Sequence, residues 1–439
     1  MKRIVGLLVM LLCLLPLSAG ADNYTQLWKQ FDLAQQKDLP KTQLEVLEKI
    51  SKQALRERAY GHLVKAQLLN VAVLGSLSPD SLLPARIRLE TREREASDKV
   101  LKAVYNLVIG KLYENGYMDA DNTARTKECY ARALENPDLL ASVQDASYAP
   151  LVEVGVDSKV FNHDLLHVVG FEIEAFDTLH KYYEAKGNRS AACYTALGMN
   201  WRERKTNAQR MASLDSLICL YGDLPIACEV VINRYSLMRG GSRDLDKVRF
   251  EYLNEAIGRW KDYPRVNVLR NQLAQLTVPR FSARIEKKVL LPYREYKIFF
   301  SGIRNIGRIS MDVYRLREGI TATERLYDDK EYARVMQGAR LLMDASQTKT
   351  YTGYAAYEQW QDSLTLKQLP VGVYLLEFHA DNAKIKPSRM IVRVSDLFVF
   401  WTRLPDQRVR AAVVNATTGE PVPHAQLALS NSQGKPSAT

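Results

Sequence analysis

His163-Asp164-Leu165-Leu166-His167 is the sharpest candidate for enzymatic chemistry in the sequence. Two imidazoles four residues apart share one helix face and are spaced to hold Zn²⁺, provided a third ligand and a general base complete the set. In the zinc-hydrolase pattern H-E-x-x-H that base is a glutamate; Asp164 stands here instead, one methylene shorter. The next histidine along the chain, His180, belongs to no matching signature. Asp164-Leu165-Leu166 fits the opening of an amphipathic helix equally well, so the expectation is no resident metal, with His163 and His167 as the pair that would overturn it. Nucleophilic catalysis is not signalled either, since there is no G-x-S-x-G and no cysteine with a catalytic flank. Gly240-Gly241 lacks the Lys-Ser/Thr that a phosphate loop requires. His379 and His424 are expected to be solvated, the first after a strand and the second in a turn. The residues therefore describe a protein without cofactor or enzymatic centre.

Five cysteines are too few for a disulfide-stapled scaffold in 439 residues. Cys219 and Cys228 flank Gly222-Asp223-Leu224-Pro225, which reads as the turn between two antiparallel helices. A disulfide between them is one reading; buried thiols packing as small hydrophobes, with Cys129 and Cys193, is the other.

Lys2-Arg3, an apolar run from Ile4 to Leu17 and the small residues Ala19-Gly20-Ala21 have the form of an export signal, residues 1–21, cleaved after Ala21. An uncleaved anchor and a lipoprotein site at Cys13 are the alternatives, and Leu12 stands where the second wants a small residue. No later apolar run reaches spanning length, so the mature chain is expected to lack a transmembrane segment and to reside in the periplasm or at the cell surface. The 61 Lys+Arg and 50 Asp+Glu leave a net charge of +11, but the signs are interleaved, as in Arg92-Glu93-Arg94-Glu95. Nucleic-acid binding is thus not indicated. A charged fraction of 25% beside 46% apolar residues excludes a disordered chain.

Two kinds of element must position these residues. From residue 22 to 278 apolar side chains recur at helical spacing. Trp28, Phe31 and Leu33 fit one helix. Leu44, Leu47, Ile50 and Ala54 fit a second that Pro40 opens, and Leu63, Ala66, Leu69 and Val73 a third. Later helices are expected near 163–186, 190–203, 208–221, 225–239, 244–260 and 265–276. Short helices joined by polar turns stack into an α-helical solenoid, with a loose likeness to tetratricopeptide repeats, and a concave solenoid surface would bind another protein. Beyond Pro279 the period falls to 2, as in Phe281-Ala283-Ile285 and Ile309-Met311-Val313, which argues for antiparallel β-sandwich modules. One spans 279–395, with a short helical insertion around 332–343. A second opens at 396 and, by 439, has room for about three of the roughly seven strands a sandwich needs, so it reads as truncated. Trp201, Trp260, Trp360 and Trp401 are expected to anchor the cores.

Two passages carry a family resemblance. Leu369-Pro370-Val371-Gly372-Val373-Tyr374-Leu375-Leu376-Glu377-Phe378 resembles the closing part of a first macroglobulin domain. Val413-Val414-Asn415-Ala416-Thr417-Thr418-Gly419-Glu420-Pro421-Val422-Pro423-His424-Ala425, following Val394-Ser395-Asp396-Leu397, resembles the opening of the next one in α2-macroglobulin-like proteins of Bacteroidetes-type bacteria. In this element Gly419 supplies a turn position open to positive φ and Pro421 fixes φ where a strand begins. The resemblance implies the N-terminal part of an exported protease trap, whose targets are proteases caught by later regions, and an N-terminal docking arm. It carries over no trapping residue, because none of the cysteines stands in a Cys-Gly-x-Gln thioester motif. The alternative is an envelope interaction scaffold that uses the helical surface and inhibits nothing.

Overall fold

The computed structural model describes residues 22–115, 122–318, 320, 326, 328–405, 408–427, 429–430 and 436–438. The export signal and its cleavage after Ala21 lie outside them. The described residues form an α+β protein, helices first and sheets after. Among them no helix is long and apolar enough to cross a membrane.

The helices run α1 (Asp22–Gln36), α2 (Pro40–Glu57), α3 (Tyr60–Leu77), α4 (Leu82–Glu95), α5 (Lys99–Glu114), α6 (Asn122–Ala133), α7 (Pro137–Ala141), α8 (Leu165–Glu172), α9 (Phe176–Ala185), α10 (Arg189–Arg202), α11 (Asn207–Tyr221) and α12 (Ala227–Ser236). Each packs chiefly on its neighbours in sequence. Pro40 takes the first turn of α2, where its missing N–H is no loss. The apolar stripe then falls inward: Leu47, Ile50 and Ala54 of α2, and Leu63, Val64 and Ala66 of α3, are buried. Leu33 breaks the expected pattern of α1 and stands exposed while Phe31 is buried. The single helix expected over 163–186 is two, because Glu174 turns left-handed (φ 54°) between α8 and α9. That break has no Gly or Pro to announce it.

The chain divides into two compact units between Leu237 and Met238. Helix gives way to strand later, at Thr277–Arg280, so α13 (Arg243–Arg259) and α14 (Asn267–Leu276) share a unit with the strands. Arg243 of α13 pairs with Glu358, and Phe250 packs on Tyr357 at 5.0 Å between ring centroids.

Strands β1 (Arg280–Ile285), β2 (Val289–Leu290), β3 (Tyr296–Arg304), β4 (Arg308–Arg315), β5 (Arg340–Leu341), β6 (Gln347–Thr350), β7 (Trp360–Leu366), β8 (Gly372–Ala380) and β9 (Ser388–Val394) make two sheets. One is antiparallel, ordered β1-β3-β7; the other is ordered β2-β9-β8-β4-β5, with β6 also on β4 and β2 parallel to β9. Their facing residues share one core: Ile298, Phe300 and Leu366 from the first sheet, and Met311, Val313, Leu376, Phe378 and Val392 from the second. Strand β8 is buried on both faces. Its outward Leu375 sits in a satellite core with Leu316, Leu326 and Val335 of α15 (Asp329–Met336), the expected helical insertion. Continuous apolar sequence in Val373–Phe378 follows from that double cover.

A ribbon of β10 (Leu397–Arg403) and β11 (Val409–Asn415) follows. All of β10 is exposed, with Phe398 at 51%, Phe400 at 56% and Trp401 at 71%. Trp401 is therefore no core anchor among the described residues, and Trp201 is also exposed, whereas Trp260 is buried.

Candidate functional site

The segment from 142 to 164 between α7 and α8 carries a group of buried polar residues, Asp145, Ser158 and Asp164. It contains two short 3-10 turns, Asp145–Tyr148 and Ser158–Phe161. A short antiparallel clasp closes it: Asp145 N–H donates to the His163 carbonyl at 2.9 Å and Leu165 N–H to that of Val143 at 2.8 Å. Asn162 and His163 both turn left-handed, at φ 56° and 59°. Gly61 of α3 lies against the first turn so closely that a β-carbon there would stand 2.2 Å from the Tyr148 carbonyl oxygen.

This geometry separates the two histidines of the alternative zinc reading. Helix α8 starts at Leu165 with Asp164 as its N-cap, so His163 precedes the helix and the shared face does not exist. His163 is exposed, its Nδ1 2.9 Å from the Ser158 hydroxyl. His167 is buried, stacked on Phe161 at 4.7 Å, with Nδ1 3.1 Å from Asp164 Oδ1 and Nε2 4.0 Å from Asp145 Oδ2. Among the described residues, no three His, Cys, Asp or Glu side chains are arranged to hold a metal ion.

The cluster also lacks the layout of a nucleophilic triad. The Ser158 hydroxyl donates to Asp145, not to an imidazole base, so its proton lies on the carboxylate side. Ser158 is fully buried, beyond the reach of a substrate carbonyl. Asp164 accepts the backbone N–H of His167 at 2.9 Å and the Tyr183 hydroxyl at 2.9 and 3.0 Å. Burial and that carboxylate hold the Tyr183 phenol far above its usual range. Such a network fixes a fold by satisfying groups that would otherwise be buried bare. Asp145, Ser158 and Tyr183 carry no spacing signal that would have joined them to His167 from sequence.

Cys219 lies exposed on α11 and Cys228 is buried in α12, so the structure forms no bond between them. The turn thus leaves the two side chains in different environments. Burial raises the Cys193 thiol to about 12 and raises that of Cys129 as well, which keeps both protonated and unreactive. His379 lies within β8 rather than after it, its Nε2 3.4 Å from Glu377 and 3.7 Å from Asp312. Glu377 is itself buried beneath α15. It accepts Arg389 Nε at 2.6 Å and the Tyr332 hydroxyl at 3.1 Å. The Arg389 guanidinium lies 3.5 Å over the Tyr332 ring and donates to the Leu326 carbonyl at 2.9 Å.

A titratable group of another kind joins α1 to α3. Tyr24 stacks on His62 at 3.9 Å, and Trp28 Nε1 donates to His62 Nδ1 at 2.9 Å. Burial, and secondarily the Lys65 charge, push the His62 imidazole from 6.5 down to about 4. The unfolded chain thus takes up a proton near pH 6.5 that the folded chain refuses until about pH 4. The stability contributed by neutral His62 is whole above pH 6.5 and is lost as pH falls toward 4. After a discount for the ring's partial exposure, the expected loss is about 1–2 kcal/mol. Urea midpoints of wild type and His62→Gln between pH 7 and 4 check it: the wild-type advantage should shrink across that window. Parallel curves would dismiss the effect.

The strand-borne motif takes the conformation its residues favour. Asn415 Oδ1 accepts the N–H groups of Thr417 and Thr418, both at 2.9 Å. Gly419, at φ 77°, donates to the Asn415 carbonyl at 2.9 Å. The chain then returns along β11, with Asn415 N–H to the Glu420 carbonyl at 2.8 Å, Val422 N–H to that of Val413 at 3.0 Å and a bridge from Val414 to Pro421. Gly419 supplies the left-handed residue and Pro421 restarts extended chain.

No known family model matches the chain, and no curated protein matches it.

Proposed function

We propose that this chain is the N-terminal part of an exported α2-macroglobulin-like protease inhibitor of a bacterial cell envelope. The observation that carries the reading is the hairpin turn Asn415–Pro421, closed as described, on the β10–β11 ribbon that follows a two-sheet sandwich. Two further features support it. Helices that pack on their sequence neighbours suit a tetratricopeptide-like solenoid arm. The apolar strand β10, exposed along its whole length, suits an opening strand of a second macroglobulin-like sandwich whose remaining strands would cover it. On this reading the helices up to Leu237 dock, the sandwich 279–395 is the first rung, and proteases are caught elsewhere in the protein. No residue of this part forms or breaks a covalent bond.

Exposed Leu33, Leu39 and Leu55 on the first two helices and the turn between them favour a second reading, an envelope scaffold whose helices hold a protein partner. Incubating the full-length gene product with a broad-specificity protease separates the two. A trap gives one early cut, a large change in native-gel mobility and a captive protease that still cleaves small substrates. A gradual ladder of fragments, with the protease free to digest large substrates, would exclude trapping.

A further inference from the structure

The seam where α13 meets the first sheet holds more positive than negative charge. Asp246, in the first turn of α13, lies 3.4 Å from Arg249 Nη1 and 3.8 Å from Arg304 Nη2, so two guanidiniums share one carboxylate. A third, Arg280 of β1, joins them through Gln359, whose Oε1 accepts from Arg280 Nη2 at 2.7 Å and from Arg304 Nη2 at 3.1 Å. The adjoining Arg243 is matched by Glu358, and Asp244 is exposed. Arg304 is 6% exposed, and its Nε–H has no partner. The Arg249 Nε–H has none either, although its other nitrogens donate to the carbonyls of Gly240, at 3.0 Å, and Met238. Burial, with the Arg280 charge behind it, pushes the Arg304 guanidinium below its usual range. A buried guanidinium with an idle donor and too little countercharge is unfavourable unless an acceptor anion reaches it.

We infer that this seam is a binding site for a small oxyanion, a phosphate, sulfate or carboxylate, which takes the idle Nε donors of Arg304 and Arg249 with Arg280 at the rim. Guanidinium forks suit oxygens of either planar or tetrahedral anions. Bound there, the anion completes the charge of the seam and fastens α13 to the sheet. Nothing in this site depends on protease trapping.

Isothermal titration of the full chain at constant ionic strength in chloride, with sodium phosphate, sulfate or acetate, tests the site. Saturable heat is expected, with a rise in Tm of about 3–5 °C at roughly tenfold the Kd. Saturation by acetate as well as phosphate identifies a carboxylate-competent site; saturation by phosphate or sulfate alone identifies a tetrahedral-anion site. Arg304→Gln should weaken affinity by about tenfold or more. Arg280→Gln, at an exposed position that leaves the core intact, should weaken it too and decides the matter if the buried variant does not fold. Heats that never saturate, or that are equal in wild type and Arg280→Gln, would overturn the site.

Discussion

Asp164→Ala should lower the stability of the helical unit by about 3–5 kcal/mol, a loss in Tm on the order of 10 °C. Asp164 is the N-cap of α8 and the common acceptor of His167 and Tyr183 inside the protein. Its removal strips the cap, worth about 1 kcal/mol alone, and leaves a buried phenol and imidazole without their acceptor. Asp164→Asn keeps an oxygen at the cap and should lose clearly less. Thermal unfolding of the three proteins, followed by circular dichroism, gives the comparison. A loss below about 1 kcal/mol for the alanine variant would mean that the network does not hold this part of the fold.

The second large effect lies beneath α15. Glu377→Ala removes the carboxylate that binds Arg389 and Tyr332 in a buried layer and should destabilise the sheet unit by about 3–5 kcal/mol. The double variant Glu377→Leu with Arg389→Met should recover most of that loss, because an apolar pair demands no compensation there. Urea unfolding gives the energies, and amide exchange over 329–336 reports whether the helix is released. Equal stability of the single and double variants would argue against a charge pair as the clasp.

Periodicity made the layout legible. The core faces of α2 and α3 followed from Leu47, Ile50, Ala54, Leu63 and Ala66, and the strand half from alternations such as Ile309-Met311-Val313. The turn at Gly419 was readable because a left-handed position has few occupants. The histidine pair shares no helix face for a local reason: i, i+4 spacing implies a shared face only if the helix has already begun, and Asp164 caps it instead. The true partners of His167 come from a non-helical segment whose pairings have no period. The break at Glu174 likewise lacks a Gly or Pro. Trp401 was expected inside because aromatic strand residues usually are; β10 has no cover among the described residues.

The near-contact of Gly61 with the Tyr148 carbonyl has a consequence for how the sequence is free to change. Connecting segments on a protein surface ordinarily gain and shed residues with little penalty. The stretch 142–164 lacks that liberty, being pressed on a helix backbone at one end and clasped to its own start at the other. Length variation among natural variants should therefore spare it and collect at turns such as that of Gly338, where a side chain would meet nothing within 4 Å.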